Sequence, residues 1–289
     1  MDQILYEEKM PGVVIDCVER SRSFNMPIKH FHEEYEIYYL LEGQRYYFID
    51  GKTYFVQAGN LVFVNKNQIH QTSQSTSTGH KRILIELNPQ PLQQFLSLTK
   101  ELDLEEFFMK HQGVILLDEH QKQNVETLLC TIQSELHHKE TGYQINVLSC
   151  LANLLFFVTR MTAHLPEHQS LPLSNETRHR KVDEVAAFIA KEYAQPLSLE
   201  SIAAHFYLNK CYLSRIFKQV TGFTINEYVN VIRIRHAREY LIQTNDSITE
   251  VSDLLGYTNM TYFERIFKNY MGVTPLQFRK QYQQAHHLI

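Results

Sequence analysis

Two sets of side chains in this 289-residue chain have types and spacings that could do chemistry. The first is His30-x-His32-x3-Glu36, with His70 well downstream. Along an extended strand His30 and His32 point to one face, and Glu36 stays in phase with them if the strand is unbroken. With His70 arriving from a neighbouring strand, nitrogen and oxygen donors would converge, a set that suits a divalent metal: Zn, Ni, Mn or Fe. The same four residues would equally serve as the polar lining of a small-molecule pocket. Tyr38 and Arg45, with Tyr47 and Phe48, could add aromatic and cationic walls; for the Tyr and Phe rings, plain strand packing is the alternative.

The second set is duplicated. Asn209–Gly222, NKCYLSRIFKQVTG, returns fifty positions later as Asn259–Gly272, NMTYFERIFKNYMG. A fixed-period repeat marks a repeated structural unit. Asn is a good helix N-cap and Gly suits the left-handed position past a helix end, so each copy reads as a short helix marked at both ends. Leu213, Ile216, Phe217 and Val220 share one face, as do Phe263, Ile266, Phe267 and Tyr270. The opposite faces carry Lys210, Cys211, Ser214, Arg215 and Lys218, or Met260, Thr261, Glu264, Arg265 and Lys268. A helix apolar behind and basic-polar in front suits presentation to a groove of double-stranded DNA.

The elements that would position these groups differ in kind, giving an α+β chain. From Gly12 to Asp103 short runs rich in Tyr, Phe, Val and Ile are divided by turn residues. They are Val13–Val18, Tyr35–Leu41, Arg45–Ile49, Thr53–Val56, Leu61–Val64 and Arg82–Leu87. Asp50-Gly51 is a hairpin signal, because a type I′ turn needs positive φ at both central residues. Gly43 and Gly59-Asn60 mark two more turns. The pattern predicts a sandwich or small barrel over residues 1–90. Residues 91–163 read as helices, ending in the pair Glu119–His138 and Tyr143–Ala163 joined at Thr141-Gly142. Their surplus apolar surface faces a second subunit, making a homodimer, or packs on the barrel. Residues 164–180 read as a linker.

Residues 181–289 read as all helical. Val182 to Tyr193 is amphipathic, Ser198 caps the next helix, and Thr224-x-x-Glu227 and Ser247-x-x-Glu250 are capping boxes. Val251, Leu254 and Leu255 form the apolar face of a second support helix. The first of the repeated helices, following the helix capped by Ser198, completes a helix–turn–helix. The long helix after Thr224, of about 18 residues and ~27 Å, would hold the two reading helices roughly one DNA turn apart.

Charge follows the same division. Net charge is -4, but residues 1–177 hold 14 Lys and Arg against 22 Asp and Glu, whereas residues 178–289 hold 14 against 10. The C-terminal part is thus the electropositive one, as a DNA-facing domain requires. No apolar run approaches the ~20 residues of a membrane span, and the acidic start lacks a signal peptide. Four scattered cysteines read as reduced thiols of a cytoplasmic protein with no membrane partner.

The first His set, extended to Gly43 and followed by Gly59-x5-Asn65-x-Asn67-x2-His70, resembles the paired motifs of the cupin barrel. Asn65 and Asn67 depart from the family's Pro and Gly, and Gln74 stands where Asn is usual. The C-terminal residues resemble the arabinose-operon regulator (AraC/XylS) family. The match includes Leu199, Ala203, Tyr212, Leu213, Arg215, Phe217, Lys218, Gly222, Tyr228, Arg233, Ala237, Leu241 and Ile248. It continues in Gly256-Tyr257, Tyr262-Phe263, Arg265, Phe267-Lys268, Gly272, Thr274-Pro275 and Arg279. Small departures are Ser252 for Ala and Tyr257 for Phe. The resemblance implies a non-enzymatic transcription regulator, activating or repressing beside RNA polymerase, whose barrel senses a small molecule such as a sugar. By position it makes Lys210, Cys211, Ser214 and Arg215, then Met260, Thr261, Glu264 and Arg265, the base readers, with Lys218 and Lys268 as phosphate anchors. The rival reading is a metal-dependent cupin enzyme fused to a DNA-binding tail.

Overall fold

The computed structural model describes residues 3–21, 32–75, 79–97, 101–163 and 177–286, the last three by backbone alone. It divides into two compact units, Met1–Asn175 and Glu176–Ile289.

The first unit contains eight antiparallel strands: β1 (Gln3–Met10), β2 (Val13–Arg20), β3 (Tyr35–Ile49), β4 (Lys52–Gln57), β5 (Leu61–Val64), β6 (His70–Gln74), β7 (His80–Leu87) and β8 (Gly113–Ile115). They lie in the order β1-β2-β7-β3-β5-β8, with β4 and β6 also paired to β3. β3 organises the unit. Its first half, Tyr35–Gly43, pairs with β7 and β5, and its second half, Gln44–Ile49, pairs with β4 and β6. Gly43, expected as a turn, instead lies inside this strand at φ 92°, where a Cβ would meet His80 Cα at 3.1 Å. The Asp50-Gly51 turn has the expected positive φ values, 43° and 93°.

A bulge between Leu40 and Glu42 resets the facing of β3. Before it the even positions Tyr38 and Leu40 join the interior cluster; after it the odd positions Tyr47 and Ile49 do, with Tyr54, Val56, Val62, Val64 and Val114. The other face of the sheet carries Val13, Ile15, Tyr35, Ile37, Tyr39 and Ile85 into a second core.

That second core is covered by α1 (Pro89–Ser97), α2 (Leu104–His111), α3 (Glu119–His138) and α4 (Tyr143–Thr162). Val125, Leu129 and Ile132 of α3 and Leu151, Leu155 and Val158 of α4 share one core with the sheet. Asp118 caps α3 in a reciprocal box with Gln121. The Tyr39 hydroxyl donates to Glu126 Oε1 at 2.7 Å, tying β3 to α3. α4 has 20 residues, and an 18-residue window of it reaches a mean hydropathy of 1.5, enough to cross a bilayer by length and composition alone. The polar Gln144, Asn146, Asn153 and Arg160 interrupt it, and its apolar side is spent on the sheet core.

The second unit is helical: α5 (Thr177–Glu192), α6 (Leu199–His205), α7 (Lys210–Thr221), α8 (Ile225–Gln243), α9 (Ile248–Leu254), α10 (Met260–Met271) and α11 (Pro275–His286). Every expected cap is present. Asn209 accepts from the amides of Cys211 and Tyr212, and Asn259 from that of Tyr262. Gly222 and Gly272 close their helices at φ 77° and 73°. The boxes Thr224/Glu227 and Ser247/Glu250 open α8 and α9. Tyr228, Ile232, Ala237 and Leu241 are buried as expected, but so are Val229, Val231, Arg233 and Ile234, because helices pack around α8 on several sides. Leu254, expected inward, is 51% exposed; α9 is so short that Val251 and Leu255 complete its inner face.

Candidate ligand centre and nucleic-acid interface

In the first unit Glu36, at the start of β3, is the hub. His32 Nε2 lies 2.8 Å and His70 Nε2 3.2 Å from the same oxygen, Glu36 Oε1. The Tyr47 hydroxyl donates to Glu36 Oε2 at 3.1 Å. One donor atom from each of His32, Glu36 and His70 falls within a common 4.8 Å. The two imidazoles meet edge to face at 5.2 Å.

The backbone explains the convergence. β6 begins at His70, directly across from Ile49 at the end of β3. Asn67, at φ 62°, turns its amide onto the His32 carbonyl at 2.7 Å, so the loop before β6 holds the segment before β3. That segment is a bend, not strand, up to Glu34. The expectation that His32 and Glu36 share one face of an unbroken strand is therefore corrected: His32 reaches Glu36 from a bend. His30 lies outside the described residues.

Charge and tautomer follow from these contacts. His70 Nδ1 faces the Gln68 carbonyl at 2.9 Å, and His32 Nδ1 faces the Glu34 carbonyl at 3.1 Å. A ring nitrogen facing a carbonyl carries the proton, so in both neutral rings Nε2 presents a lone pair toward Glu36. That arrangement needs either an additional proton or a cation between them. With the additional proton on the rings, each Nε2–H donates to Glu36; burial by itself would raise the Glu36 carboxyl, but in that state the charge of His70 and hydrogen bonds from both imidazoles hold it well below the ordinary carboxylate range. Burial works against protonation of His32, yet its hydrogen bond to Glu36 and that carboxylate's charge raise it.

Arg45 and Tyr38 share this interior. Arg45 is 2% exposed, and its Nη2 donates to Thr72 Oγ1 at 3.5 Å. Tyr38 is buried, stacks edge to face on Tyr47 at 5.3 Å, and its hydroxyl has no hydrogen-bond partner among the described residues. Tyr47 is the site residue that sequence reasoning undervalued, treating its ring as packing. Its parity with Arg45 was the available signal. Phe48, of the opposite parity, turns away.

In the second unit the readers lie on α7 and α10. Lys210, Cys211, Arg215 and Lys218 are exposed and Ser214 is half-buried. Thr261, Glu264, Arg265 and Lys268 are exposed and Met260 is half-buried. Leu213, Ile216 and Phe217 behind α7, and Phe263 and Phe267 behind α10, are buried, which aims the polar faces outward. Lys210 Nζ donates to Glu200 Oε1 at 3.3 Å, and the Arg265 guanidinium lies 5.2 Å over the Tyr262 ring. Among the described residues Arg215 has no ion-pair partner.

A clasp holds the two halves of this unit together. Arg233 of α8, 8% exposed, donates to the carbonyls of Tyr193 and Gln195 at 2.8 and 2.9 Å. Its guanidinium also sits 5.0 Å from the Tyr257 ring, in the turn before α10. Gly256 in that turn, at φ 77°, lies against Ala194; a Cβ would overlap the Ala194 carbonyl oxygen and come within 2.7 Å of its carbon. Arg279 of α11 donates to the Leu241 carbonyl at 3.2 Å, fixing the far end of α8. The helix between the readers, 19 residues, is ~28 Å long.

Comparison with known proteins places both units. Residues 14–143 match the AraC-like ligand binding domain, and residues 202–281 match a helix-turn-helix domain. The bifunctional transcriptional activator/DNA repair enzyme AdaA of Bacillus subtilis is 36% identical over 99 residues, 34% of this chain and 47% of that protein. The melibiose operon regulatory protein of Escherichia coli is 34% identical over 110 residues, 37% of this chain and 36% of that protein. The chain thus spans less than half the length of these curated relatives. Among solved structures, the C-terminal domain of AraT, a response regulator from Geobacillus stearothermophilus, is 34% identical, with a TM-score of 0.35, over 37% of this chain and 88% of that one.

Proposed function

We propose that this chain, whose two units match the AraC-like ligand binding domain and a helix-turn-helix domain, is a transcriptional regulator of the AraC type that binds DNA sequence-specifically under control of a small molecule held in the interior of its sheet domain. The observation that carries the reading is the pair of outward polar faces on α7 and α10, clamped at fixed separation by α8 and Arg233. Such a pair addresses two successive major-groove segments on one side of a duplex. Arg215, exposed and without an ion-pair partner among the described residues, is the strongest base reader; a bidentate contact to guanine is worth ~1–3 kcal/mol of discrimination. Arg265 reads from its place over Tyr262. The small Thr261 and Ser214 and the apolar Cys211 and Met260 fit contacts that need little reach, while Lys218 and Lys268 fit phosphates. The test is Arg215→Ala: specific affinity falls by about tenfold or more while affinity for random duplex changes little. Equal losses on both would demote Arg215 to a phosphate contact.

The ligand reading places His32, Glu36, His70, Tyr38, Arg45 and Tyr47 around one small molecule in a cupin-type interior. A sugar is the class suggested by the melibiose relative. We extend the reading to a homodimer through α3 and α4, where Ile145 remains 63% exposed, and to action beside RNA polymerase in the cytoplasm. The role is regulatory, not catalytic.

A second reading is favoured by the tautomers described above. Two Nε2 lone pairs and a carboxylate aimed at one point fit a divalent cation, with Nδ1 of each ring already oriented by a carbonyl, as metal-bound histidines usually are. Bound there, the metal would supply a Lewis-acid anchor for a ligand oxygen. Elemental analysis of the purified chain, with and without added zinc or nickel, tests it; a metal-free chain that gains no thermal stability from either would reject it.

A further inference from the structure

The two reading motifs are copies, yet they differ at the residue just past the support helix, from which the turn to the reader's N-cap is one residue longer in the second copy (Gly256 to Asn259) than in the first (Tyr207 to Asn209). In the second copy that residue is Gly256, at φ 77°, and the nearby Ala194 carbonyl leaves no room for a side chain. In the first copy it is Tyr207, at φ 54°. A bulky residue in the left-handed region is strained, and glycine would adopt it freely. The ring gives the fold nothing in return. It is 97% exposed and touches no other ring or cation among the described residues. The backbone there is rigidly placed, with the Tyr207 amide on the Ala204 carbonyl at 3.1 Å and the Leu208 amide on the Ala203 carbonyl at 2.8 Å. Two residues later Asn209 caps α7.

We infer that Tyr207 is a DNA-backbone contact of the first reading motif, its phenol donating to a phosphate oxygen at the edge of the groove that α7 enters. The inference rests on the DNA-binding reading above. In a helix–turn–helix the start of the second helix meets base edges, so the turn before it runs close to the sugar-phosphate chain. Tyrosine hydroxyls are common phosphate donors there, and a ring on a fixed platform loses little freedom on binding. Strain held by a functional contact explains why glycine serves in one copy and tyrosine in the other.

The experiment uses the full chain and a duplex enriched by it from a random-sequence pool, with affinity read by fluorescence anisotropy at fixed salt. Y207G is expected to bind about tenfold more weakly, the loss of one hydrogen bond to a charged group. Its Tm should be equal or higher, because the left-handed strain is relieved. Y207F, which keeps the ring and loses the hydroxyl, should show most of the same loss. Y207F binding like the wild type overturns the phosphate contact. A lower Tm for Y207G makes the residue structural and overturns it too. Unchanged affinity of Y207G with reduced transcription from a promoter carrying the selected site assigns the ring to a protein partner instead. If the wild type enriches no duplex, the DNA-binding reading beneath is what fails; if it does and Y207G binds equally, only this inference fails.

Discussion

Replacing Gly256 by alanine tests the clasp that sets the spacing of the two readers. Gly256 and Gly272 have nearly the same φ, 77° and 73°, but different surroundings. Nothing lies within 4 Å of a Cβ at Gly272, whereas a Cβ at Gly256 would strike the Ala194 carbonyl group and come within 3.0 Å of Arg233 Nη2. The left-handed conformation costs an L-residue ~1–2 kcal/mol, and the stiffer unfolded chain returns ~0.4–1. G272A should therefore lose about 1 kcal/mol. G256A adds an overlap that backbone must move to relieve, typically ~1–3 kcal/mol, for a total of about 2–4. Urea titration followed by far-UV circular dichroism would report the difference in the helical unit. G256A should also weaken binding to a selected duplex more than G272A does, since the displaced turn leads directly into α10. Equal losses of stability in the two variants would show that Ala194 yields without resistance, and the account of a rigid clasp would be wrong.

Other outcomes follow from the same contacts. Burial pushes the His111 imidazole below its ordinary value, with Lys110 in the same direction, against the hydrogen bond to the Phe107 carbonyl. A depressed imidazole contributes stability above the unfolded value, about 6.5, that is lost as pH falls through the folded one. H111Q should flatten that acid-side decline in a pH series of thermal melts, and an unchanged slope would clear His111 of the role. Arg279→Met, which removes the donor to the Leu241 and Asp246 carbonyls, should cost ~1–3 kcal/mol by taking this donor from both, read as a lower urea midpoint. His70→Ala should abolish any thermal stabilisation by nickel while Tyr38→Phe keeps it; stabilisation surviving in His70→Ala would place the metal elsewhere.

Much of the helical unit was legible because its signals are local. Asn209, Thr224, Ser247 and Asn259 cap in the structure as their spacing indicates, and the repeat itself aligned the two readers. The sheet was harder. β1 is exposed along most of its length and charged at Glu7, Glu8 and Lys9, and β6 reads HQTSQ, polar residues that are nonetheless mostly buried, so neither showed apolar alternation. Gly43 looked like a turn because glycine usually marks one, whereas here it lets β7 approach. The convergence of His32, Glu36 and His70 followed from residue type and spacing, but the bend that delivers His32 depends on Asn67, a contact between segments that no local pattern encodes. Tyr47 was undervalued for a related reason: an aromatic on a strand is usually packing, and only the third dimension reveals the carboxylate beside its hydroxyl.

The bulge between Leu40 and Glu42 gives the first unit a strict dependence on chain length. Glu36 and Tyr38 carry even numbers, Arg45 and Tyr47 odd ones, and all four meet only because one surplus residue intervenes. Deleting Leu41 would leave composition almost untouched but would invert everything downstream in the strand, offering Tyr46 and Phe48 to the interior that now holds Tyr47 and turning the guanidinium outward. Substitutions around the bulge should thus be far better tolerated than any change in the number of residues that compose it.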